Sequence, residues 1–173
     1  HILECGLGRE FLVPLAAPPS DALVGFVGAV GELDEGQFGM YQFLFHPARH
    51  PWGEDGARAM RREDGRPLPW IDEEILKASE EKFASQLYAV VVRFCGGSYD
   101  EDSMWHLMMR LASPFQHFAG AKSNFLVPLS NGDYDPDEHI RDLYYRRTRR
   151  AGLLLSASEL RGLVHMPTGA VRT

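Results

Sequence analysis

The order of the apolar segments constrains the fold of this 173-residue chain more than any single motif. Four segments have the short apolar or alternating pattern of β-strands, namely residues 10–15, 38–45, 86–94 and 125–129. Helical periodicity lies between the first and second of these segments, and again between the third and fourth, at residues 22–33 and 100–118. Two β-α-β units in succession predict an α+β ferredoxin-like sandwich, with a mainly antiparallel four-stranded sheet and its helices on one face.

The pentapeptide FLVPL occurs twice, at residues 11–15 and 125–129. In a ferredoxin-like sheet the first and fourth strands are neighbours. We therefore expect the two copies to pair as antiparallel strands, with Val13 beside Val127. Each proline would then lie near a strand end or on the outer edge, where its missing amide is tolerated.

Residues 46–70 (HPARHPWGEDGARAMRREDGRPLPW) are rich in glycine, proline and mixed charges, which is typical of a long loop outside the core. A helix with acidic residues in its first turn follows from residue 71. Residues 46–85 are therefore interpreted as an insertion in a domain of residues 1–134. Residues 135–173 are interpreted as a basic helical extension, with a helix over 138–149 and a Ser-x-x-Glu capping box at Ser156.

Charge divides the chain unevenly. Residues 1–140 carry 11 Lys and Arg against 22 Asp and Glu, a balance of −11, whereas residues 141–173 carry 7 against 2, a balance of +5. An acidic body repels phosphates, so any nucleic-acid contact would concentrate on the extension. The candidate contact residues for nucleic acid or a partner protein are Arg141, Tyr144, Tyr145, Arg146, Arg147, Arg149 and Arg150. The other interpretation of these arginines is a solvated helix face that pairs with the acidic body.

Motifs that would indicate a cofactor or a metal fail their spacing rules. The segment around Lys122 lacks the glycine that a phosphate loop needs directly before lysine, and the acidic turn from Asp133 lacks the glycine and glutamate of a calcium loop. His46 and His50 have zinc-like spacing only on a helix, which the nearby prolines disfavour. We therefore expect no catalytic residue, no cofactor and no metal site.

The two cysteines, Cys5 and Cys95, cannot form a disulfide framework or a thiolate zinc site by themselves. No apolar run approaches the ~18 residues that a membrane-spanning helix requires. We expect a cytoplasmic protein without a membrane segment.

The C-terminal sequence LLLSASELRGLVHMPTGAVRT resembles the junction that precedes the ATPase core in bacterial proteins of the HerA/FtsK-like superfamily, including those labelled as conjugative coupling or type IV secretion ATPases. Three upstream segments are similar to the N-terminal accessory region of such proteins: LECGLGREFLVPL, VGAVGELDEGQFGMYQFLFHPARHPW and NFLVPLSNGDYDPDEH. The resemblance extends over most of the chain, but it includes no phosphate loop.

The resemblance implies a non-catalytic accessory or assembly domain of a DNA-translocating or DNA-processing P-loop ATPase. The implied partners are a downstream motor domain and neighbouring subunits, with DNA as a further possibility. The implied linker to the motor contains Leu155, Glu159, Leu160, His165 and Pro167. The alternative function is a nucleic-acid-binding module that uses the basic residues 141–150.

Overall fold

The computed structural model describes residues 1–16, 21–116, 122–132 and 134–165. Within these residues five strands form one antiparallel sheet: β1 (Ile2–Leu7), β2 (Phe38–Pro47), β3 (Leu87–Gly97), β4 (Leu126–Pro128) and β5 (Leu153–Ser156). The helices of the described residues are α1 (Ala22–Gly31), α2 (Trp52–Ala59), α3 (Glu73–Phe83), α4 (Glu101–Gln116), α5 (Pro136–Tyr144) and α6 (Ala157–Leu163). The fold is α+β, as predicted.

The strand order β2-β3-β1-β4 gives the antiparallel sheet of a ferredoxin-like sandwich. The units β1-α1-β2 and β3-α4-β4 are its two halves, and β1 lies beside β4 as expected. β3 is central because it pairs with β2 along ten residues and with β1 at its C-terminal half. β5 pairs with the other half of β3, so the extension predicted to be helical also adds a fifth strand.

The first FLVPL copy is not a strand, so the expected pairing of Val13 with Val127 is wrong. Val127 pairs instead with Gly6 of β1, and residues 11–15 form turns that end in an isolated bridge between Leu15 and Asn124. The side chain of Asn124 holds this loop, because its Nδ2 donates to the carbonyl oxygens of Arg9, Glu10 and Val13 at 2.9–3.1 Å. A buried amide thus replaces the expected ladder.

The main core lies between the sheet and the pair α1 and α4. Its fully buried members include Val90, Val92 and Phe94 of β3 with Leu111 and Phe115 of α4. The three strand residues alternate along β3, and the two helix residues are four positions apart, which places them on one face of α4. Both elements were therefore predictable from their own sequence.

The insertion contributes to a second core, so the prediction that residues 46–70 lie outside the core is wrong. α2 falls within this segment, and Met60 is fully buried with Ile71 and Phe83. Gly56 packs on Phe83 so closely that a Cβ at that position would lie 2.5 Å from the ring. A glycine that resembles loop punctuation is thus a packing contact between α2 and α3.

Candidate functional site

An ion pair is buried on the face of the sheet that points away from α1 and α4, hereafter the outward face. Arg93 of β3 donates from Nε to Oε2 of Glu4 on β1 at 2.7 Å, and the two side chains are 0% and 2% exposed. The same guanidinium donates from Nη1 to Oε1 of Gln42 on β2 at 3.1 Å. Three neighbouring strands therefore place polar side chains at one point of an otherwise apolar sheet.

α5 and the turn after it cover this point. Gln42 donates from Nε2 to the carbonyl oxygen of Leu143 at 2.9 Å, and Thr148 donates its hydroxyl to Oε1 of Glu4 at 3.2 Å. His139 is buried against the pair, with Nε2 4.0 Å from Oε2 of Glu4. Burial lowers the pKa of His139 below its usual value, and the neighbouring charge of Arg93 lowers it further.

Most of the predicted contact arginines are engaged with the body of the protein. Arg147 and Arg149 approach the buried carboxylate of Asp142 at 2.6 and 3.2 Å, and Arg149 also pairs with Glu138. Burial alone would raise the pKa of Asp142, but hydrogen bonds from Tyr134 and Arg147 together with the guanidinium charges lower it. The pairing of basic and acidic residues that the sequence left open thus occurs within the chain.

Arg150 is anchored without a carboxylate. Its Nη2 donates to the carbonyl oxygen of Ser130 at 2.7 Å, and its guanidinium lies 4.9 Å from the centre of the Tyr134 ring. Arg141 and Arg146, by contrast, are exposed and have no side-chain partner among the described residues. Two of the predicted arginines are therefore available to a partner.

The helix that contains these residues is shorter than the predicted range 138–149. α5 ends at Tyr144, and Arg146 has a φ of 56°, in the left-handed region that non-glycine residues seldom adopt. The turn leaves Tyr144 79% and Tyr145 64% exposed, with their rings 5.2 Å apart. The end of α5 therefore presents two aromatic rings next to the two unpaired arginines.

The edge strand β2 also exposes apolar side chains on the outward face. Phe38 and Met40 are 53% and 37% exposed and occupy the positions on β2 that alternate with Gln42 on the outward face. Gln42 joins β2 to the end of α5 through its bond to Leu143. We define the β2–α5 surface as Phe38, Met40, Arg141, Tyr144, Tyr145 and Arg146.

A cavity of about 830 Å³ opens beside the β2–α5 surface. Its walls are residues 41–46 of β2, residues 89–91 of β3 and the turn from Arg146 to Gly152. The outward face is therefore concave between β2 and the turn. A protruding side chain of a partner could enter this concave region.

The predicted linker residues lie in the fold. Leu155 and Leu160 are buried, and Glu159 is 7% exposed; its carboxylate accepts from Lys82 at 3.1 Å and from the backbone amide of Leu15 at 2.8 Å. Burial lowers the pKa of Lys82, although the charge of Glu159 opposes that shift. Nε2 of His165 lies 2.9 Å from Oδ1 of Asp21. Pro167 is outside the described residues. The role of these residues as a linker stays a prediction.

Within the described ranges, no group of three or more His, Cys, Asp and Glu side chains is placed to hold a metal ion. Asp133 of the acidic turn lies outside those ranges. No helix in the described part of the chain is long and apolar enough to cross a membrane.

The sequence did not identify the cluster of Glu4, Arg93, His139 and Asp142. A signal was nevertheless present, because Glu4 and Arg93 each interrupt an apolar strand (ILECGL and LYAVVVRF). A charge in the middle of a buried strand requires a partner. The sequence alone does not say which of the chain's many charged residues that partner is.

Comparison of this chain with known protein families, with curated proteins and with solved structures finds no match. Its function is therefore inferred from its own surfaces.

Proposed function

We propose that this chain is a non-catalytic assembly domain that joins neighbouring copies of its own subunit through the β2–α5 surface. The exposure of four large apolar side chains on these two elements carries the proposal. Protein interfaces are enriched in aromatic residues, methionine and arginine and are depleted in lysine and acidic residues. The six members of the β2–α5 surface are aromatic residues, methionine or arginine, and four of them are large apolar side chains that lie at least 37% exposed.

The edge strand supports contact between identical copies. Natural edge strands are usually protected by lysine, by inward charges or by short length, because an open edge can pair with another chain. β2 is ten residues long (FGMYQFLFHP) and contains no lysine, arginine or acidic residue. Antiparallel pairing of two β2 strands would place no like charges opposite each other and would give a symmetric contact.

The charge distribution is complementary between copies. Arg141 and Arg146 lack partners within the described chain, while residues 1–140 carry an excess of acidic side chains. A neighbouring acidic body could neutralise the two arginines. Such rim charges contribute orientation and association rate more than affinity.

The buried state of the titratable groups supports a non-catalytic role. Burial lowers the pKa values of Lys82 and His139, and both side chains are almost entirely enclosed. A general acid or base must reach a substrate. These groups stabilise or strain the fold but cannot contact a substrate without local opening.

The likeness to HerA/FtsK-like accessory regions suggests which assembly the domain would serve. On that proposal the copies meet within a ring or oligomer of a DNA-translocating ATPase, and the motor domain supplies all ATP chemistry. The comparisons add no support for this finer assignment, which rests on the quoted sequence segments.

Sedimentation velocity over a range of protein concentrations tests the assembly role directly. We expect the wild-type chain to self-associate, and the double substitution Phe38→Lys with Met40→Lys to shift it to monomer, because lysines on the edge oppose strand pairing. Trp105→Lys is the matched control, since Trp105 is 59% exposed on α4, away from β2. A wild-type chain that is monomeric at every concentration, or a control that dissociates equally, would refute the proposal.

Nucleic-acid binding through the end of α5 is the second candidate, favoured by the exposed tyrosines next to Arg141 and Arg146. Bases stack on aromatic rings while arginines neutralise phosphates. We expect any such affinity to be modest, because Arg147 and Arg149 are already paired with carboxylates. Fluorescence anisotropy with a labelled single-stranded oligonucleotide, repeated with Arg141→Glu and Arg146→Glu at rising salt, distinguishes this role; salt-independent binding would exclude it.

A further inference from the structure

A second cavity lies where the sheet forks. β1 pairs with β3 only through Ile2 to Glu4, and β5 takes the neighbouring place on β3 from Leu87 to Val90. Residues 5–7 of β1 meanwhile remain paired with β4. β1 and β5 therefore diverge, and a cavity of about 580 Å³ occupies the gap between them.

The walls of the fork cavity are mostly apolar. They include Leu7, Phe11, Trp52, Leu129 and Leu154. Ala89, a small residue, also lines it, so little side-chain volume fills the space next to that position of β3. A concave apolar cavity between about 300 and 1,000 Å³ is typical of small-molecule sites. The fork cavity thus has the size and lining of a site for a compact apolar ligand.

The charged groups that line the fork cavity are of one sign. They are Arg49 and Arg150, and no Asp or Glu is among its lining residues. Cys5, which also lines the cavity, stays neutral because burial raises its pKa to about 12. A cavity whose ionised groups are basic has an electrostatic preference for an anion.

The two arginines retain unused binding capacity. Arg49 is exposed and makes no hydrogen bond or ion pair with the described residues. Arg150 has no carboxylate partner there, and its Nη1 is shielded from solvent without a hydrogen-bond acceptor. An unsatisfied shielded donor is costly, and a rotation of the Arg150 side chain that brought Nη1 to an oxygen anion in the cavity would remove that cost.

From this arrangement we infer that the fork cavity binds a small apolar carboxylate, with its apolar body between Trp52 and Leu154 and its carboxylate towards Arg49 and Arg150. Apolar burial supplies the affinity of the body, and charge-assisted hydrogen bonds from guanidinium groups orient the carboxylate. A neutral analogue of the same length would lose the charge-assisted hydrogen bonds, and a cationic one would be repelled by the arginines. The inference does not depend on the proposed assembly role.

Isothermal titration calorimetry with decanoate, and with decanol as the neutral probe of equal chain length, tests this site on the whole chain. We expect decanoate to bind at one site and decanol to bind about tenfold more weakly or not measurably, since one charge-assisted contact corresponds to at least that factor. Equal affinity for the two probes, or no heat with decanoate, would overturn the inference.

Two substitutions locate the binding. Arg49→Gln, which changes an exposed side chain, should weaken decanoate about tenfold and leave decanol unchanged. Arg58→Gln is the matched control, because Arg58 is also exposed but lies on α2 beside Asp55 and does not line the cavity. Ala89→Leu should weaken both probes by filling the cavity, with an unchanged circular dichroism spectrum as the check on folding. If Arg49→Gln and Arg58→Gln have the same effect, the carboxylate does not bind at the fork.

Discussion

Replacing Arg93 with methionine tests whether the buried pair with Glu4 controls the stability of the domain. The substitution keeps an apolar side chain of similar length but removes the only guanidinium that contacts Glu4 within the described residues. The carboxylate would remain at 2% exposure, with the hydroxyl of Thr148 at 3.2 Å as its remaining close hydrogen-bond donor. An uncompensated carboxylate would thus be left in the sheet.

The expected magnitude follows from the burial of both partners. Breaking a buried ion pair by removing one partner costs about 3–5 kcal/mol, whereas an exposed pair contributes about 1 kcal/mol or less. The free energy of unfolding of an ordinary domain is about 5–15 kcal/mol, so Arg93→Met should remove about a fifth of it or more. Arg61 provides the comparison, because its bond to Glu80 is as short at 2.6 Å but its side chain is 41% exposed.

Equilibrium unfolding in urea, followed by far-ultraviolet circular dichroism, measures the free energies of unfolding of the wild type and its variants. We expect a large loss for Arg93→Met, a loss below about 1 kcal/mol for Arg61→Met, and recovery of about half the loss or more when Glu4→Leu is added to Arg93→Met. The recovery is expected because the double variant leaves no uncompensated charge at this point of the sheet. Equal losses for the two single variants, or a double variant less stable than Arg93→Met, would refute the reasoning.

Three further predictions concern other buried groups. Burial lowers the pKa of His139, so the free energy of unfolding is fully present above the usual pKa of 6.5 and falls at lower pH, where protons bind the unfolded state more readily. Urea titrations should therefore show that His139→Gln loses less free energy of unfolding than wild type between about pH 7.5 and about pH 5.5. Burial raises the pKa values of Cys5 and Cys95, so a thiol reagent should label neither until urea unfolds the protein, and rapid labelling of the native chain would contradict this. Thermal melts should show that Gly152→Ala lowers the free energy of unfolding by at least about 1 kcal/mol more than Gly65→Ala does. Both glycines have positive φ, but only at Gly152 would a Cβ lie 2.8 Å from a carbonyl oxygen of β3.

The parts of the fold that could be predicted are those whose pattern is local. β3 and α4 have a periodicity that burial on one face produces, and the capping box of α6 at Ser156 and Glu159 is confirmed by reciprocal bonds. The strand order also followed from the order of the elements, although the first strand is Ile2–Leu7 and not the predicted residues 10–15. The strand order needed no long-range information beyond the two β-α-β units.

The errors arose where distant residues decide the local conformation. The segment ILECGL contains Glu4, which looks unsuited to a buried strand until Arg93, 89 residues away, neutralises it. The segment from Phe11 to Leu15 looks like a strand, but the side chain of Asn124 donates to the carbonyl oxygens of Glu10 and Val13 and holds it as a loop. For the site, the sequence identified the exposed residues at the end of α5 but not that Asp142 and Glu138 engage two of the arginines.

The closure of the outward face has a consequence for the order in which a newly made chain can fold. During synthesis Glu4 emerges from the ribosome 144 residues before Thr148, and the amide of Leu15 precedes its acceptor Glu159 by the same number. β1 therefore cannot bury the carboxylate of Glu4 against its partner until Arg93 has been made, 89 residues later, and its stable docking must await the later segments that supply these contacts. Contacts of such long range slow folding, and a ribosome-bound chain that stops before α5 should leave β1 accessible to proteases and chaperones.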